Sequence, residues 1–189
     1  NELGAALNDA LRAIAAANPR QLAGVFDYTD FNNRKALPPD NLADVVRHFD
    51  DLGPLTRERV RPDMLGQAYE WLIAKFAAEA GKAGGEFYTP ASVGKLGARL
   101  LRPPAVATAY DPTCGSGGML LHAAEWLRQH PGPKSRLKLS GQERDATTAA
   151  LAKLNMVLHD LPADIRGGSS TLTAPQFITR ARRLQPLDA

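Results

Sequence analysis

The run Asp111-Pro-Thr-Cys-Gly-Ser-Gly-Gly118 puts three glycines behind a carboxylate and directly ahead of an apolar helical pattern. Glycines there let the backbone take tight or positive-φ turns and let a ligand come close to the main chain. The helix that follows offers free N–H groups to an electronegative ligand atom. Asp111 can accept a hydrogen bond from a ligand hydroxyl or ammonium. The run matches neither G-x-G-x-x-G nor the G-x-x-x-x-G-K-[ST] phosphate loop, and a bare structural turn is the competing reading. Glu143 is a second candidate, at the tip of the next expected strand, where an acid can bind the two hydroxyls of a ribose. Its spacing from the loop exceeds the usual dinucleotide fingerprint, and the insert from His130 to Lys134 absorbs the difference. The third is Gly85-Glu-Phe-Tyr-Thr-Pro90. Its aromatics either pack over a flat ligand part or staple the following helix to the core, and the residues leave both readings open.

These groups need elements to hold them. Thr89 and Pro90 are expected as N-cap and first residue of a helix carrying Val93, Leu96, Leu100 and Leu101, stopped by Pro103-Pro104. Ala105 to Tyr110 reads as a buried strand, and Met119 to His130 as a helix with Leu120, Ala123, Ala124 and Leu127 inward. Leu137 to Gly141 reads as a second strand and Ala163 to Arg166 as a third. Between them runs a helix from Ala146 to His159, with Ala150, Leu151, Leu154, Val157 and Leu158 on its core face. Alternating strands and helices imply a parallel sheet, with its ligand crevice beyond the carboxyl ends of the strands.

Ahead of Gly81 the chain reads as helices only. Leu3, Leu7, Leu11 and Ile14 share a face, Asn18-Pro19 ends that helix, and residues 26 to 40 form an irregular connector. Short and long helices follow, near Asn41 to Phe49 and from Asp63. The division expected is a helical region over 1–80 and an α/β part over 81–189.

Composition bounds what this can be. The 189 residues and 20.3 kDa suffice for one ordinary domain, and +3 is only mildly basic, so charge alone does not make a nucleic-acid binder. The single cysteine excludes an internal disulfide framework and an all-cysteine metal site. Cys114 has no histidine nearby in sequence to activate it as a nucleophile. His48, His122, His130 and His159 are too scattered for a metal ligand set and read as helix-surface residues. Trp71 and Trp126 read as packing residues, and Arg180, Arg182 and Arg183 as a solvated basic face. No apolar run approaches the 18 or so residues of a membrane span, and no signal-peptide pattern opens the chain. A soluble cytoplasmic protein is expected. Without an initiator Met, the chain reads as an excerpt of a longer one.

EFYTP, DPTCGSGGML and GQERDATTAALAKLNMVLHD, in this order and spacing, resemble the methylase subunit of type I restriction-modification systems. RPDMLGQAYEWLIAKFAAEAGKAGGEFYTP and FNNRKALPPDNLADVVRHFDDL resemble the same family, so the likeness covers nearly all of residues 26 to 177. It implies a Rossmann-like S-adenosylmethionine-dependent methyltransferase domain, present in part, behind a helical N-terminal region. It also implies methyl transfer from S-adenosylmethionine to adenine N6 in DNA, with a specificity subunit as partner and a restriction subunit able to join.

Carried over by position, Glu86, Phe87, Tyr88, Thr89, Pro90 and Ala91 would flank the methionine end of the cofactor. Asp111, Gly115, Ser116, Gly117 and Gly118 would form the main loop, and Glu143 would take the ribose hydroxyls. Arg144 would pack by the adenine ring, and Cys114 would be a small loop residue. Two departures stand out. Where the family places Gly-Asp or Gly-Asn after its third strand, this chain has Gly167-Gly-Ser-Ser-Thr171, with Ser170 a candidate contact. The catalytic Asn-Pro-Pro-aromatic motif is absent, since Asn-Pro occurs only at Asn18-Pro19 and is followed by Arg20. The expectation is a chain truncated before its catalytic centre, holding cofactor and no catalytic residue. The alternative is a non-catalytic methylase-like module that binds cofactor or scaffolds an assembly.

Overall fold

The computed structural model describes residues 2–56, 58–81, 85, 88–104, 106–131 and 136–177. Two compact units divide the chain, Asn1–Met64 and Leu65–Ala189.

The first unit is helical: α1 (Glu2–Ala17), α2 (Pro19–Leu22) and α3 (Pro39–Asp51). The leucine stripe of α1 is only part-buried. The buried positions are Gly4 and Asn8, because Asn8 does the local joining: its amide donates to Asp30 at 2.9 Å and its Oδ1 accepts from the Phe31 N–H at 3.1 Å. Helix α4 (Pro62–Glu79) begins just ahead of Asp63, so that residue lies in the first turn instead of capping it, and most of α4 belongs to the second unit.

The second unit continues with α5 (Ala91–Leu101), β1 (Val106–Asp111), α6 (Gly118–Gln129), β2 (Arg136–Glu143), α7 (Ala146–Leu158) and β3 (Ala163–Gly167). The three strands are parallel in the order β1-β2-β3, with Asp111 level with Gly141 and Glu143 level with Gly167. The strand-helix alternation read from the sequence is therefore present. β2 is the middle strand, and its run from Leu139 to Gln142 is continuously buried. Helix α6 packs on β1 and β2, α7 on β2 and β3, and α5 on α6. Leu120, Leu121, Leu139, Ala152, Met156 and Ile165 form the centre of the core.

Several expected faces turn out differently. α7 buries Ala149, Ala150, Ala152, Asn155 and Met156, because small residues let it lie close to the sheet. Leu151, Leu154, Val157 and Leu158 are only part-buried. On α5 the buried residues are Gly94 and Ala98, while Val93, Leu96, Leu100 and Leu101 are exposed. The reason is His122, expected on a helix surface but only 4% exposed. Its ring occupies the space a Cβ on Gly94 would need, 2.2 Å away, so α5 and α6 meet through that glycine. His122 Nδ1 also pairs with Glu125 Oε2 at 2.8 Å, and this hydrogen bond holds the Glu125 carboxyl below its ordinary value. Trp71 is 61% exposed, so it is no packing residue in this chain. Trp126 stacks on His130 with ring centres 3.8 Å apart.

Candidate functional site

A cavity of about 680 Å³ opens at the carboxyl ends of β1 and β2, lined by residues of the glycine loop, Tyr88, Thr89, Asp111, Glu143 and Arg144. That volume falls within the roughly 300–1,000 Å³ of small-molecule sites.

The end of β2 fixes the glycine loop. The Cys114 N–H donates to the Gln142 carbonyl at 3.0 Å, and the Gly115 N–H donates to Glu143 Oε2 at 3.0 Å. Gly115 and Gly117 have φ of +52° and +84°, which L side chains rarely adopt. Gly117 is the N-cap of α6 and Gly118 its first residue, so the helix's free N–H groups begin at the cavity wall. Close packing under the loop is also sequence-dictated: a Cβ on Gly141 would lie 2.8 Å from Cys114 Sγ.

Two carboxylates face this space. Glu143 Oε1 accepts from the Asp145 N–H at 2.9 Å, so each of its oxygens already holds one backbone donor. Each keeps further lone-pair capacity. Asp111 accepts from the Thr113 N–H at 3.0 Å. Burial pushes its carboxyl above the ordinary value, the Thr113 N–H pulls it down, and the Glu143 charge pushes it up again. Paired acids beside the free N–H groups at the start of α6 suit a ligand with hydroxyl and cationic groups. Cys114 also lines the cavity, but burial pushes its thiol up to about 12, which removes it as a nucleophile.

Of the residues expected at a site, Tyr88, Thr89, Asp111, Gly115, Ser116, Gly118 and Glu143 line this one cavity. Gly117 shapes the turn between them. Pro90 does not line it: Pro90 is the N-cap of α5, the helix starts at Ala91, and the Val93 and Gly94 N–H groups donate to the Pro90 carbonyl. Thr89, expected as the cap, is thereby left at the cavity. Ala91 lines a neighbouring pocket of about 190 Å³, together with Ser116, Glu70 and Asn155. Glu86 and Phe87 lie outside the described residues, as do Arg180, Arg182 and Arg183.

Sequence reasoning missed Asn155, which is 1% exposed and donates to the Ser116 carbonyl at 3.0 Å, holding the loop from α7. It also missed Gln142, wholly buried, and the wall formed by Thr171 and Leu172 next to the anticipated Ser170. The signal for Gln142 was a polar residue near the end of a central strand, which must find hydrogen-bond partners when both sheet faces are covered.

The profile of the N-6 DNA methylase family matches residues 60–187 of this chain. The chain belongs to that family. It is 35% identical over 154 residues to the type I restriction enzyme MjaVIII methylase subunit of Methanocaldococcus jannaschii, covering 81% of this chain and 26% of that protein. To the HindI methylase subunit of Haemophilus influenzae it is 33% identical over 119 residues, covering 62% and 27%. A solved type I restriction-modification methyltransferase subunit from Streptococcus thermophilus superposes with a TM-score of 0.66 at 31% identity, over 85% of this chain and 34% of that one. A class I S-adenosylmethionine-dependent methyltransferase from Listeria monocytogenes shares the fold, with a TM-score of 0.53 at 15% identity. The sheet and helices are thus part of a Rossmann-like methyltransferase domain, and S-adenosylmethionine is the methyl donor that goes with this family and fold. The chain spans about a quarter of the length of the curated relatives it matches. Among its described residues no helix is long and apolar enough to cross a membrane.

Proposed function

We propose that this chain is the cofactor-binding part of a type I methylase subunit. The observation that carries the reading is the convergence of Asp111, Glu143 and the backbone of the Gly115–Gly118 turn on one cavity at the strand ends. In this reading residues 1–80 form a preceding helical region and 81–189 the cofactor part.

The residues present fit S-adenosylmethionine. Glu143 takes the two ribose hydroxyls with the lone pairs its backbone partners leave free. Asp111 offers a negative charge to the ligand's ammonium and sulfonium, with Tyr88 and Thr89 beside it. Arg144 and Ser170 flank the base. When bound, the cofactor supplies an electrophilic methyl group. In the whole protein an adenine N6 nitrogen of DNA would attack that methyl carbon as the carbon–sulfur bond breaks, the nitrogen losing a proton and the sulfur becoming a neutral thioether. What this chain contributes is position: holding the donor aligned for in-line displacement. The catalytic Asn-Pro-Pro-aromatic segment and the contacts to DNA, a specificity subunit and a restriction subunit belong to the whole protein.

Calorimetric titration of S-adenosylmethionine into the 189-residue chain tests the cofactor reading. One saturable site supports it, and no binding by a folded chain refutes it. Transfer of a labelled methyl group by the full-length protein to DNA, compared with RNA and protein, tests the acceptor.

A further inference from the structure

Gln142 has no exposed surface, and it immediately precedes the carboxylate assigned to the ribose. Its carboxamide is used in every direction. Nε2 donates to the Ser169 carbonyl at 3.1 Å, to Ser169 Oγ at 3.1 Å and to the Ala174 carbonyl at 2.9 Å. Oε1 accepts from the Gln176 N–H at 2.9 Å. The loop so gripped supplies Ser170, Thr171 and Leu172 to the cavity wall. Within the loop, the Thr173 and Ala174 N–H groups bond back to the Ser170 carbonyl, which makes only a local turn. Elsewhere the Thr171 hydroxyl donates to the Pro112 carbonyl, and Arg166 donates to the Gln176 carbonyl at 2.8 Å. Gln176 Nε2 also donates to Ser169 Oγ and so joins the two ends directly, and Gln142 ties both of them to the sheet, Ser169 on one side and Ala174 and Gln176 on the other. Its own carbonyl meanwhile accepts from Cys114 in the glycine loop. One residue therefore ties both loops of the cavity to the middle strand.

We infer that Gln142 is a positioning residue for the cofactor: its side chain presets the 169–176 wall, so that binding does not bear the cost of ordering it. The inference rests on the cofactor reading of the cavity. It also explains why this position takes an amide. A glutamate of the same length would turn an acceptor toward two carbonyls and a hydroxyl, and a leucine would strip those part-buried groups of their bonds to the middle strand.

The test is titration of S-adenosylhomocysteine into the wild-type chain and Gln142→Glu, with amide hydrogen exchange on both. The Kd is expected to rise about tenfold or more at an unchanged stoichiometry of binding. Exchange should quicken over 169–176 and not in α6 or α7. A purely structural role would instead lower the fraction of competent chains at wild-type Kd. A folded Q142E with the wild-type Kd overturns the inference and leaves the cofactor reading standing. A wild-type chain that does not bind overturns that reading and the inference with it. Ser169→Ala, which removes a hydroxyl that accepts from both Gln142 and Gln176, decides the matter if Q142E does not fold, read against Gln176→Ala, which removes only the second of those bonds. About threefold weaker binding supports the inference, and an unchanged Kd overturns it.

Discussion

Replacing Glu143 separates the two jobs its carboxylate performs. Oε2 holds the Gly115 N–H at 3.0 Å and Oε1 holds the Asp145 N–H at 2.9 Å, while the proposed ribose hydroxyls would donate to the same two oxygens. A hydrogen bond to a charged acceptor contributes about 1.5–3 kcal/mol. Two such bonds to the ribose make about 3–6 kcal/mol, so Glu143→Ala should weaken S-adenosylmethionine binding by about 10²–10⁴-fold. Glu143→Gln keeps the shape but turns an NH₂ group toward one of the two backbone donors. It should fall between wild type and E143A, roughly 10–100-fold weaker. Calorimetric titration gives the affinities, and circular dichroism with thermal unfolding establishes that each variant is folded. A folded E143A that binds within about threefold of wild type would refute the ribose assignment. Loss of folding in E143A with normal binding by E143Q would mean that the carboxylate matters only as the anchor of the glycine loop.

Three further outcomes follow from the same geometry. Because burial raises the Asp111 carboxyl above its ordinary value, the carboxyl regains its proton sooner on acidification than a free carboxylate. Affinity for the sulfonium of S-adenosylmethionine should therefore fall, relative to neutral-sulfur S-adenosylhomocysteine, as pH drops through that raised pKa. Asp111→Asn should flatten the ratio, and a wild-type ratio independent of pH counts against the pairing. Gly117→Ala places a side chain at φ +84° and 3.0 Å from Met156 Cε. The left-handed conformation alone costs roughly 1–2 kcal/mol, so thermal unfolding should shift down by several degrees, and an unchanged midpoint contradicts the assigned turn. Burial lowers the His159 pKa below 6.5, against the raising effects of Glu125 and the Gly66 backbone. A base whose folded pKa is depressed contributes stability above its unfolded pKa and loses it on acidification. Urea unfolding from pH 8 downward should show wild type losing stability below about pH 6.5 relative to His159→Gln. Parallel profiles would exclude the linkage.

What could be read from the chain alone were features that local chemistry dictates. Glycines between an acid and an apolar helix face allow few backbone paths, and alternating short apolar runs and helical stripes leave a parallel sheet as the arrangement that buries them. Asp111, Gly115 to Gly118, Glu143 and the three strands were legible on that basis, and the ordered motifs were enough to indicate the family. Tertiary packing decided which helix faces are buried and which groups hold the loops. Val93, Leu96 and Leu100 are the apolar residues that stand out on α5 in the sequence, yet Gly94 is inside because the His122 ring fills the space beside it. The bonds from Gln142 to residues 169–176, and from Asn155 to Ser116, span 27 to 39 positions along the chain. No local pattern encodes such partners. A hydrogen bond between distant segments exists only once the sheet has brought them together, so a buried glutamine that organises a ligand cavity looks in sequence like any polar residue at the end of a strand.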